Sequence, residues 1–259
     1  MEAVLFDWAG TTVDYGSFAP VQAFQDAFAH YQIPVTLEET RKPMGMLKID
    51  HIRTMLHMPR IAGLWKQVNG RPADEKDVQA IYDQFEPKLL SILSGYAAPK
   101  PHVLEAVAQL RQMGLRIGST TGYNDKMMAV VVPEAAAQGY APDVWVSPDQ
   151  VGGQGRPAPY MIFENMKRLG VSAVQQVIKV GDTVADIQEG LRAGVWSVGV
   201  LEGSSELGLC EEEFQALSPD QRQDHLHRTE ETFRRAGAHF VLDNLSQLPG
   251  LVRALGSVG

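Results

Sequence analysis

The stretch VLFDWAGTTVD, residues 4–14, holds the pattern that decides the fold. Its apolar residues, Val4 to Phe6, lead directly into Asp7, and a glycine and two threonines follow shortly after. Such a run indicates a buried strand that delivers a carboxylate to the loop at its end. The position two residues after Asp7, where a second acid would assist proton transfer, is Ala9. The chemistry of this loop must therefore suit an aspartate that lacks an acid at that position.

The composition of the 259 residues is that of a soluble protein, with 44% hydrophobic and 21% charged side chains. This length suits one large α/β domain, or a core with a smaller companion. The net charge of −8 disfavours a nucleic acid or an anionic membrane as partner. A single cysteine, Cys210, excludes an intrachain disulfide and a cysteine-cluster metal site. Since no signal peptide or membrane-spanning run is evident, we expect a cytoplasmic protein.

From about residue 98 onward, short apolar segments alternate with helical ones. The strand-like segments are LRIGSTTG (115–122), DVWVSP (143–148), QVIKVGD (176–182), WSVGVL (196–201) and HFVLDN (239–244). Between two of them, the segment NDKMMAVVVPEAAAQG predicts a helix that Pro133 interrupts. Strands separated by crossover helices indicate a parallel sheet, and residues 2–7 should join it. The sequence therefore predicts an α/β protein with a Rossmann-like, doubly wound parallel sheet.

Residues 20–96 have a different pattern, with helical spacing throughout and no convincing strand. A capping box, Thr36 with Glu39, predicts the start of one helix. A helical insert after the first strand indicates a cap domain over the carboxyl edge of the sheet, where open α/β sheets bind ligands. We therefore predict a core domain of residues 1–18 and 98–259 and an all-helical cap of residues 19–97. Pro20 and the segment 96–101 are the expected linkers.

Four loops should meet at that edge of the sheet. They are residues 7–14, 119–123, 154–159 and 180–186. An aspartate after a strand is often only a turn or helix cap, so none of these loops is informative alone. Together, Asp7, Asp182 and Asp186 offer the oxygen ligands that Mg²⁺ prefers. A hydroxyl from Thr121 and the cation of Arg156 can then hold a phosphoryl group beside the metal.

The order of these motifs over the predicted core resembles the haloacid dehalogenase superfamily. The resemblance implies that Asp7 is a nucleophile that becomes transiently phosphorylated. It also implies that one Mg²⁺ is held by the Asp7 carboxylate, the main-chain carbonyl of Ala9 and Asp182. In that superfamily the residue two after the nucleophile is usually an aspartate that serves as acid and base for an oxygen leaving group. Ala9 therefore makes an ordinary phosphomonoesterase or phosphomutase a less expected function.

The remaining residues of the core site receive supporting roles from the same resemblance. Asp186 and Thr121 are expected to position the metal ligands and the phosphoryl oxygens. Arg156 is expected to neutralise charge at the site, although many members of the superfamily have a lysine for that purpose.

The predicted cap contributes a lysine in the segment RKPMGMLKIDHIR, residues 41–53. Lys48 has two interpretations. On an amphipathic helix it is a solvated side chain, which its composition alone favours. Desolvated by its apolar neighbours, it is an amine with a lowered pKa that can form a Schiff base with a carbonyl. His51, three residues later on the same helix face, is either a proton relay for that imine or an ordinary surface histidine. Met44 and Tyr123 are expected to shape the pocket.

Five segments favour the Schiff-base interpretation of Lys48. FDWAGTTVDYG, RKPMGMLKIDHIR, GSTTGY, GRPAPYM and KVGDTVADIQEG together resemble a branch of the superfamily that cleaves a carbon–phosphorus bond. The resemblance implies phosphonoacetaldehyde as the substrate, a place in 2-aminoethylphosphonate degradation, and a homodimer formed through the cap. It also explains Ala9, because a carbon leaving group needs an electron sink rather than a proton on oxygen.

Two other functions stay open at this point. One is a phosphatase or phosphomutase of the same fold, which activity on common phosphate esters would reveal. The other is a catalytically silent protein that binds a phosphonate or phosphate and reports it to a partner. A silent relative would be expected to have lost Asp7 or Asp182, and both are present.

Overall fold

The computed structural model describes residues 1–256, and its centre is a parallel sheet of six strands. The strand order is β3-β2-β1-β4-β5-β6. The strands are β1 Ala3–Phe6, β2 Arg116–Thr120, β3 Val144–Val146, β4 Val177–Gly181, β5 Trp196–Val200 and β6 Phe240–Leu242. Each predicted strand segment contains one of them, so the predicted α/β fold with a doubly wound parallel sheet is confirmed.

Strand β1 lies at the centre of the sheet, between β2 and β4. Its four residues are buried, which is why the sequence shows an unbroken apolar run there rather than an alternation. Phe6 is level with Ser119 of β2 and with Val180 of β4. The next residue, Asp7, donates its N–H to the Val180 carbonyl at 2.9 Å. The register thus places Asp7 beside the loop that carries Asp182.

Within residues 1–256, seven α-helices come after the helical insert in the chain. They are α6 Val103–Gln112, α7 Asp125–Ala137, α8 Tyr160–Leu169, α9 Val184–Ala193, α10 Glu211–Ala216, α11 Pro219–Arg235 and α12 Leu248–Gly256. The expected interruption of α7 is wrong, because the helix continues through Pro133. Buried residues on both sides of that proline, Val131 and Ala135, hold the helix in place.

Five helices lie between β1 and β2, as predicted for the insert. They are α1 Phe18–His30, α2 Leu37–Arg41, α3 Lys48–Leu56, α4 Pro59–Asn69 and α5 Glu75–Ile92. The Thr36 hydroxyl accepts the Glu39 N–H, and the Glu39 carboxylate accepts the Thr36 N–H, which confirms the predicted capping box. The expectation that Pro20 is a linker is wrong. Pro20 lies in the first turn of α1, where a missing N–H is tolerated.

The insert packs around its own aromatic residues. Phe24 of α1 stacks on Phe85 of α5 with 4.2 Å between ring centroids. The same apolar cluster continues into the sheet through Phe6 and Trp8, so the insert and the sheet are in contact. The division into a cap of residues 19–97 and a core stays a prediction. Within residues 1–256, no helix is both long and apolar enough to cross a membrane.

The chain passes from the sheet into the insert and later returns to the sheet. Hydrogen bonds hold both passages against the loop after β1. The Asp14 carboxylate accepts the N–H groups of Phe18 at 2.9 Å and Ala19 at 3.1 Å, and so caps α1. Burial raises the pKa of Asp14 to about 7. On the return crossing, the Lys100 amine donates to the carbonyl of Gly10 and, at 2.9 Å, to that of Glu202. Both crossings are therefore anchored close to Asp7.

Candidate active site

The three aspartates predicted as neighbours lie together at the carboxyl edge of the sheet. Asp7, Asp182 and Asp186 are buried, and one carboxylate oxygen from each lies within 4.8 Å of the others. They follow β1 and β4, which are adjacent strands, so the sheet topology alone brings them together. A buried acidic cluster of this kind can hold a metal ion.

Asp182 is the member of the cluster that most needs a cation. Its Oδ1 accepts the Thr11 hydroxyl at 2.6 Å, and its Oδ2 accepts the Ser205 N–H at 2.8 Å. Burial, followed by the charges of Asp7 and Asp186, raises the pKa of Asp182 well above its usual value. A bound divalent cation would reverse this effect, because positive charge favours the ionised carboxylate. The chemistry of these donors therefore fits a metal.

Asp186 is paired with two cationic side chains. Its Oδ1 lies 2.6 Å from the Lys179 amine and 3.1 Å from Arg156, and its Oδ2 accepts the Thr183 hydroxyl at 2.6 Å. Burial acts to raise the pKa of Asp186, but Arg156 and Lys179 hold it below its usual value. The carboxylate is thus ionised and paired without a metal, which suits the supporting role that was predicted for it.

Arg156 reaches the site from the loop before α8, and its side chain is buried. One end of the guanidinium, Nη2, lies 2.7 Å from Oδ1 of Asp7, and Nη1 faces Asp186. The other contacts are Nε to the Glu189 carboxylate at 2.9 Å and Nη2 to the Thr120 hydroxyl at 2.6 Å. The structure therefore places this cation beside the predicted nucleophile, as expected.

Three residues of this charged network were not singled out from the sequence. Lys179 lies inside β4, and Thr120 is the last residue of β2. Glu189 lies on α9 and is fully buried, as are the side chains of the other two. The available signal is spacing, because Glu189 follows Asp186 by three residues and shares its helix face. A lysine inside an otherwise apolar strand, VIKVG, is the second signal.

Lys48 is the first residue of α3, and only 4% of its surface is exposed. The interpretation as a solvated lysine is therefore wrong. Its amine lies 5.1 Å from the centre of the Tyr123 ring and 6.0 Å from that of Phe24. Burial is the main reason that the pKa of Lys48 is lowered to about 8, against the opposing attraction of Asp7. Near neutral pH, a much larger fraction of this amine is neutral, and hence nucleophilic, than of an ordinary lysine.

The insert and the sheet loops enclose one small cavity that contains both reactive groups. Asp7 and Lys48 line it, and the space measures about 20 Å³, room for about one water molecule. The other residues around it are Ala9, Ser17, Met44, Gly45, Thr121, Gly122, Tyr123, Arg156 and Thr183. The space is too small for a molecule of several heavy atoms, so we predict that the insert moves relative to the sheet when a substrate binds.

The predicted supporting residues Met44, Thr121 and Tyr123 all line this cavity. The Thr121 hydroxyl accepts the Tyr123 N–H at 3.0 Å, so its own proton is available to a substrate oxygen. Burial raises the pKa of the Tyr123 hydroxyl well above its usual value, so this group stays neutral. Met44 is 5% exposed and contributes apolar surface beside Lys48.

His51 is buried rather than solvated, so its interpretation as a surface histidine is wrong. Its ring stacks on Phe24 with 3.9 Å between centroids, and its Nε2 lies 2.8 Å from the Thr40 carbonyl. Because a carbonyl only accepts, Nε2 carries the proton. Burial, then the charge of Lys48, lowers the pKa of His51 well below its usual value. His51 is thus a neutral ring one helical turn from the lysine, and its relay role stays a prediction.

Two glycines allow the insert to approach the sheet loops closely. A Cβ on Gly122 would lie 2.6 Å from the Met46 carbonyl oxygen and 2.9 Å from that of Gly45. On the other side, a Cβ on Gly45 would lie 2.3 Å from the Thr183 hydroxyl, and its φ of +88° also favours glycine. These close backbone contacts keep Lys48 over the aspartate cluster.

The chain is similar to hydrolases of known families along nearly all of its length. The family model described as haloacid dehalogenase-like hydrolase matches residues 1–194, and a second HAD-like hydrolase model matches residues 154–248. The phosphonoacetaldehyde hydrolase of Lysinibacillus sphaericus is 53% identical, over 98% of this chain and 95% of that protein.

Two further relatives have similar names, and one of them has a known structure. A bifunctional phosphonoacetaldehyde hydrolase/aminoethylphosphonate transaminase of Clostridioides difficile is 48% identical over 97% of this chain, which is 40% of that longer protein. The crystal structure of a phosphonoacetaldehyde hydrolase-like protein from Oleispira antarctica has a TM-score of 0.96 and 40% identity, covering 99% of this chain and 92% of that one. The chain therefore belongs to the phosphonoacetaldehyde hydrolase family, a group of enzymes within the haloacid dehalogenase-like hydrolases.

Proposed function

We propose that this enzyme hydrolyses phosphonoacetaldehyde to acetaldehyde and phosphate through an imine on Lys48 and an aspartyl-phosphate on Asp7. One observation carries the proposal: Lys48 of the insert and Asp7 after β1 line the same small cavity. An amine and a carboxylate so placed can act on the two ends of one short molecule. An aldehyde reacts with the first, and a phosphoryl group reacts with the second.

The first step uses the neutral amine of Lys48. It adds to the aldehyde carbon, and loss of one water molecule together with uptake of one proton from solvent leaves a protonated imine. The apolar surroundings supplied by Met44, Tyr123 and Phe24 favour the neutral amine before the reaction. Since the imine carbon is one bond from the carbon that holds phosphorus, the imine can accept the electrons of the carbon–phosphorus bond.

The second step uses the Asp7 carboxylate as the nucleophile. One of its oxygens bonds to phosphorus, the carbon–phosphorus bond breaks, and its electron pair moves into the imine to give an enamine on Lys48. Arg156, 2.7 Å from Asp7, offers positive charge to the phosphoryl oxygens. The enamine then takes up a proton and is hydrolysed to acetaldehyde and free Lys48, and a second water releases phosphate from Asp7.

This order of reaction steps explains why residue 9 is an alanine rather than an acid. The leaving group is carbon, so no departing oxygen awaits a proton, and an added carboxylate would only increase the repulsion of a phosphonate. We propose that Mg²⁺ is the metal and that Asp7, the Ala9 carbonyl and Asp182 hold it. When bound, the ion supplies positive charge to the phosphoryl group.

The wider setting is proposed from the relatives. The Clostridioides difficile relative combines the hydrolase with an aminoethylphosphonate transaminase, which supports a place for this enzyme in 2-aminoethylphosphonate degradation. We also propose a cytoplasmic homodimer joined through a cap of residues 19–97, with a small phosphonate as its substrate.

The proposed activity has a direct test. Incubation with phosphonoacetaldehyde and Mg²⁺ should release acetaldehyde and phosphate in equal amounts, and a chelator should stop both. Release of phosphate from common phosphate esters, without reaction of phosphonoacetaldehyde, would instead support the phosphatase or phosphomutase alternative.

A further inference from the structure

Arg156 is a buried cation with three carboxylate partners, and only one of these carboxylates has no other proposed role. Asp7 lies at 2.7 Å, Asp186 at 3.1 Å and Glu189 at 2.9 Å. Asp7 is the proposed nucleophile, and its charge changes when it carries the phosphoryl group. Asp186 is shared with Lys179, which lies closer to it, at 2.6 Å. Glu189 has no proposed part in attack or in metal binding.

Glu189 and Thr120 hold one edge of the guanidinium in a closed ring of hydrogen bonds. Arg156 donates from Nε to Oε2 of Glu189 at 2.9 Å and from Nη2 to the Thr120 hydroxyl at 2.6 Å. That hydroxyl donates in turn to the same Oε2 at 2.9 Å. With this edge fixed, the planar group presents its remaining donors toward Asp7 and Asp186.

The burial of Glu189 is costly, which argues that its position matters. The side chain is fully buried, and within residues 1–256 its Oε1 has no hydrogen-bond partner. Its distance to Lys179 is 3.7 Å, longer than that to Arg156, so balancing the lysine is a secondary effect. The short contacts of this carboxylate are all made to Arg156 and Thr120. Glu189 and Thr120 together form a clamp around one edge of the Arg156 guanidinium.

We propose that Glu189, together with Thr120, is a positioning residue that holds Arg156 in place while Asp7 is converted to the aspartyl-phosphate and back. This proposal rests on the function proposed above for the role of Asp7. Without the clamp, the position of Arg156 would depend on Asp7 and Asp186, and it would shift when the Asp7 carboxylate loses its charge on phosphorylation. Lys48 has no hydrogen bond within this network, and the charge of Arg156 affects the pKa of Lys48 less than burial and Asp7 do.

Two substitutions weaken the clamp without changing the net charge of the site. Glu189→Asp withdraws the carboxylate by one methylene, and Thr120→Val removes the bridging hydroxyl. Each should lower kcat for phosphonoacetaldehyde by about tenfold or more, the loss expected when a charged hydrogen bond to a transition-state group is weakened. Glu164→Asp, in the exposed pair with Arg168 on α8, is the matched control and should change nothing.

Two further measurements separate positioning from a general structural role. Inactivation by borohydride with acetaldehyde, which reports the imine at Lys48, should slow much less than kcat falls in both variants, because Arg156 is a minor influence on the pKa of Lys48. Binding of tungstate, a phosphate mimic, in the presence of Mg²⁺ should weaken by a similar factor to kcat. This binding reports on Arg156 even if the parent does not hydrolyse phosphonoacetaldehyde, a result that would refute the proposed function alone. Unchanged kcat and unchanged tungstate binding, or equal losses of imine trapping and tungstate binding, would overturn the positioning role.

Discussion

Replacement of Gly122 by alanine should keep the insert away from the aspartate cluster. The new Cβ would lie 2.6 Å from the Met46 carbonyl oxygen and 2.9 Å from that of Gly45, and side chains essentially never approach so closely. Both contacts are to backbone, which cannot rotate aside as a flexible side chain can. The loop containing Met46 must therefore move, and it leads directly into Lys48.

The size of the effect follows from the cost of forcing a methyl group into a packed contact, about 1–3 kcal/mol. This cost applies to the closed arrangement only, so the ratio of closed to open molecules should fall by about 5- to 150-fold. Since Lys48 and Asp7 must reach one substrate, kcat/KM for phosphonoacetaldehyde should fall by the same factor. The linker at residues 96–101 should also be cleaved faster by a protease.

Gly63→Ala is the matched control, because nothing lies within 4 Å of the Cβ that it adds to α4. It should leave kcat/KM unchanged and stabilise the helix by up to about 1 kcal/mol. If Gly122→Ala keeps kcat/KM within twofold of the parent and an unaltered cleavage pattern, the close contact does not govern closure and the reasoning fails.

Other predictions test the two reactive groups and the metal. Lys48→Arg should lose far more than the roughly 10²–10⁴-fold typical of a general acid or base, because a guanidinium forms no imine; substantial residual turnover would show that charge alone suffices. Borohydride with acetaldehyde should add mass at Lys48, and inactivation should slow about tenfold per pH unit below 8, where its lowered pKa leaves the amine protonated; a rate independent of pH between 6 and 8 would contradict this. Ala9→Asp should slow carbon–phosphorus cleavage, and a clear gain in rate would disprove our explanation of Ala9. Asp182→Ala should weaken Mg²⁺ binding and activity together, whereas Asp7→Ala should abolish turnover at any Mg²⁺ concentration.

Much of the fold is predictable from the sequence, because the central strands are buried on both faces and so form unbroken apolar runs. The insert is predictable for a related reason, since its helical spacing continues from residue 20 to 96 without a strand pattern. Prolines are the exception. Pro20 marks a helix start rather than a linker, and Pro133 lies within a helix that buried neighbours on both sides maintain. Both outcomes depend on packing that a local pattern does not contain.

The candidate site is predictable where a residue follows a strand, and less so where a residue acts through another. Asp7 and Asp182 are found together, because each follows a predicted strand and the carboxyl ends of parallel strands meet at one edge of the sheet. Glu189 has the sequence setting of an ordinary helix carboxylate, and only the fold shows that it is buried against Arg156. The burial of Lys48 likewise depends on how α3 is seated over the sheet, which no pattern within residues 41–53 specifies.

The central position of β1 has a consequence for biosynthesis. Thr11 and Asp182 form a hydrogen bond although 171 positions separate them in the chain. The loop after β1 therefore cannot complete its contacts until β4 and Asp182 have been synthesised. At about 5–20 residues per second, this delay is roughly 10–30 s, during which the apolar residues of β1 have neither of their neighbouring strands for much of the time. The helices between β1 and β2 make local contacts and can fold meanwhile. A nascent chain stalled before β4 should therefore contain folded helices, an exposed aggregation-prone strand and an incomplete acidic cluster.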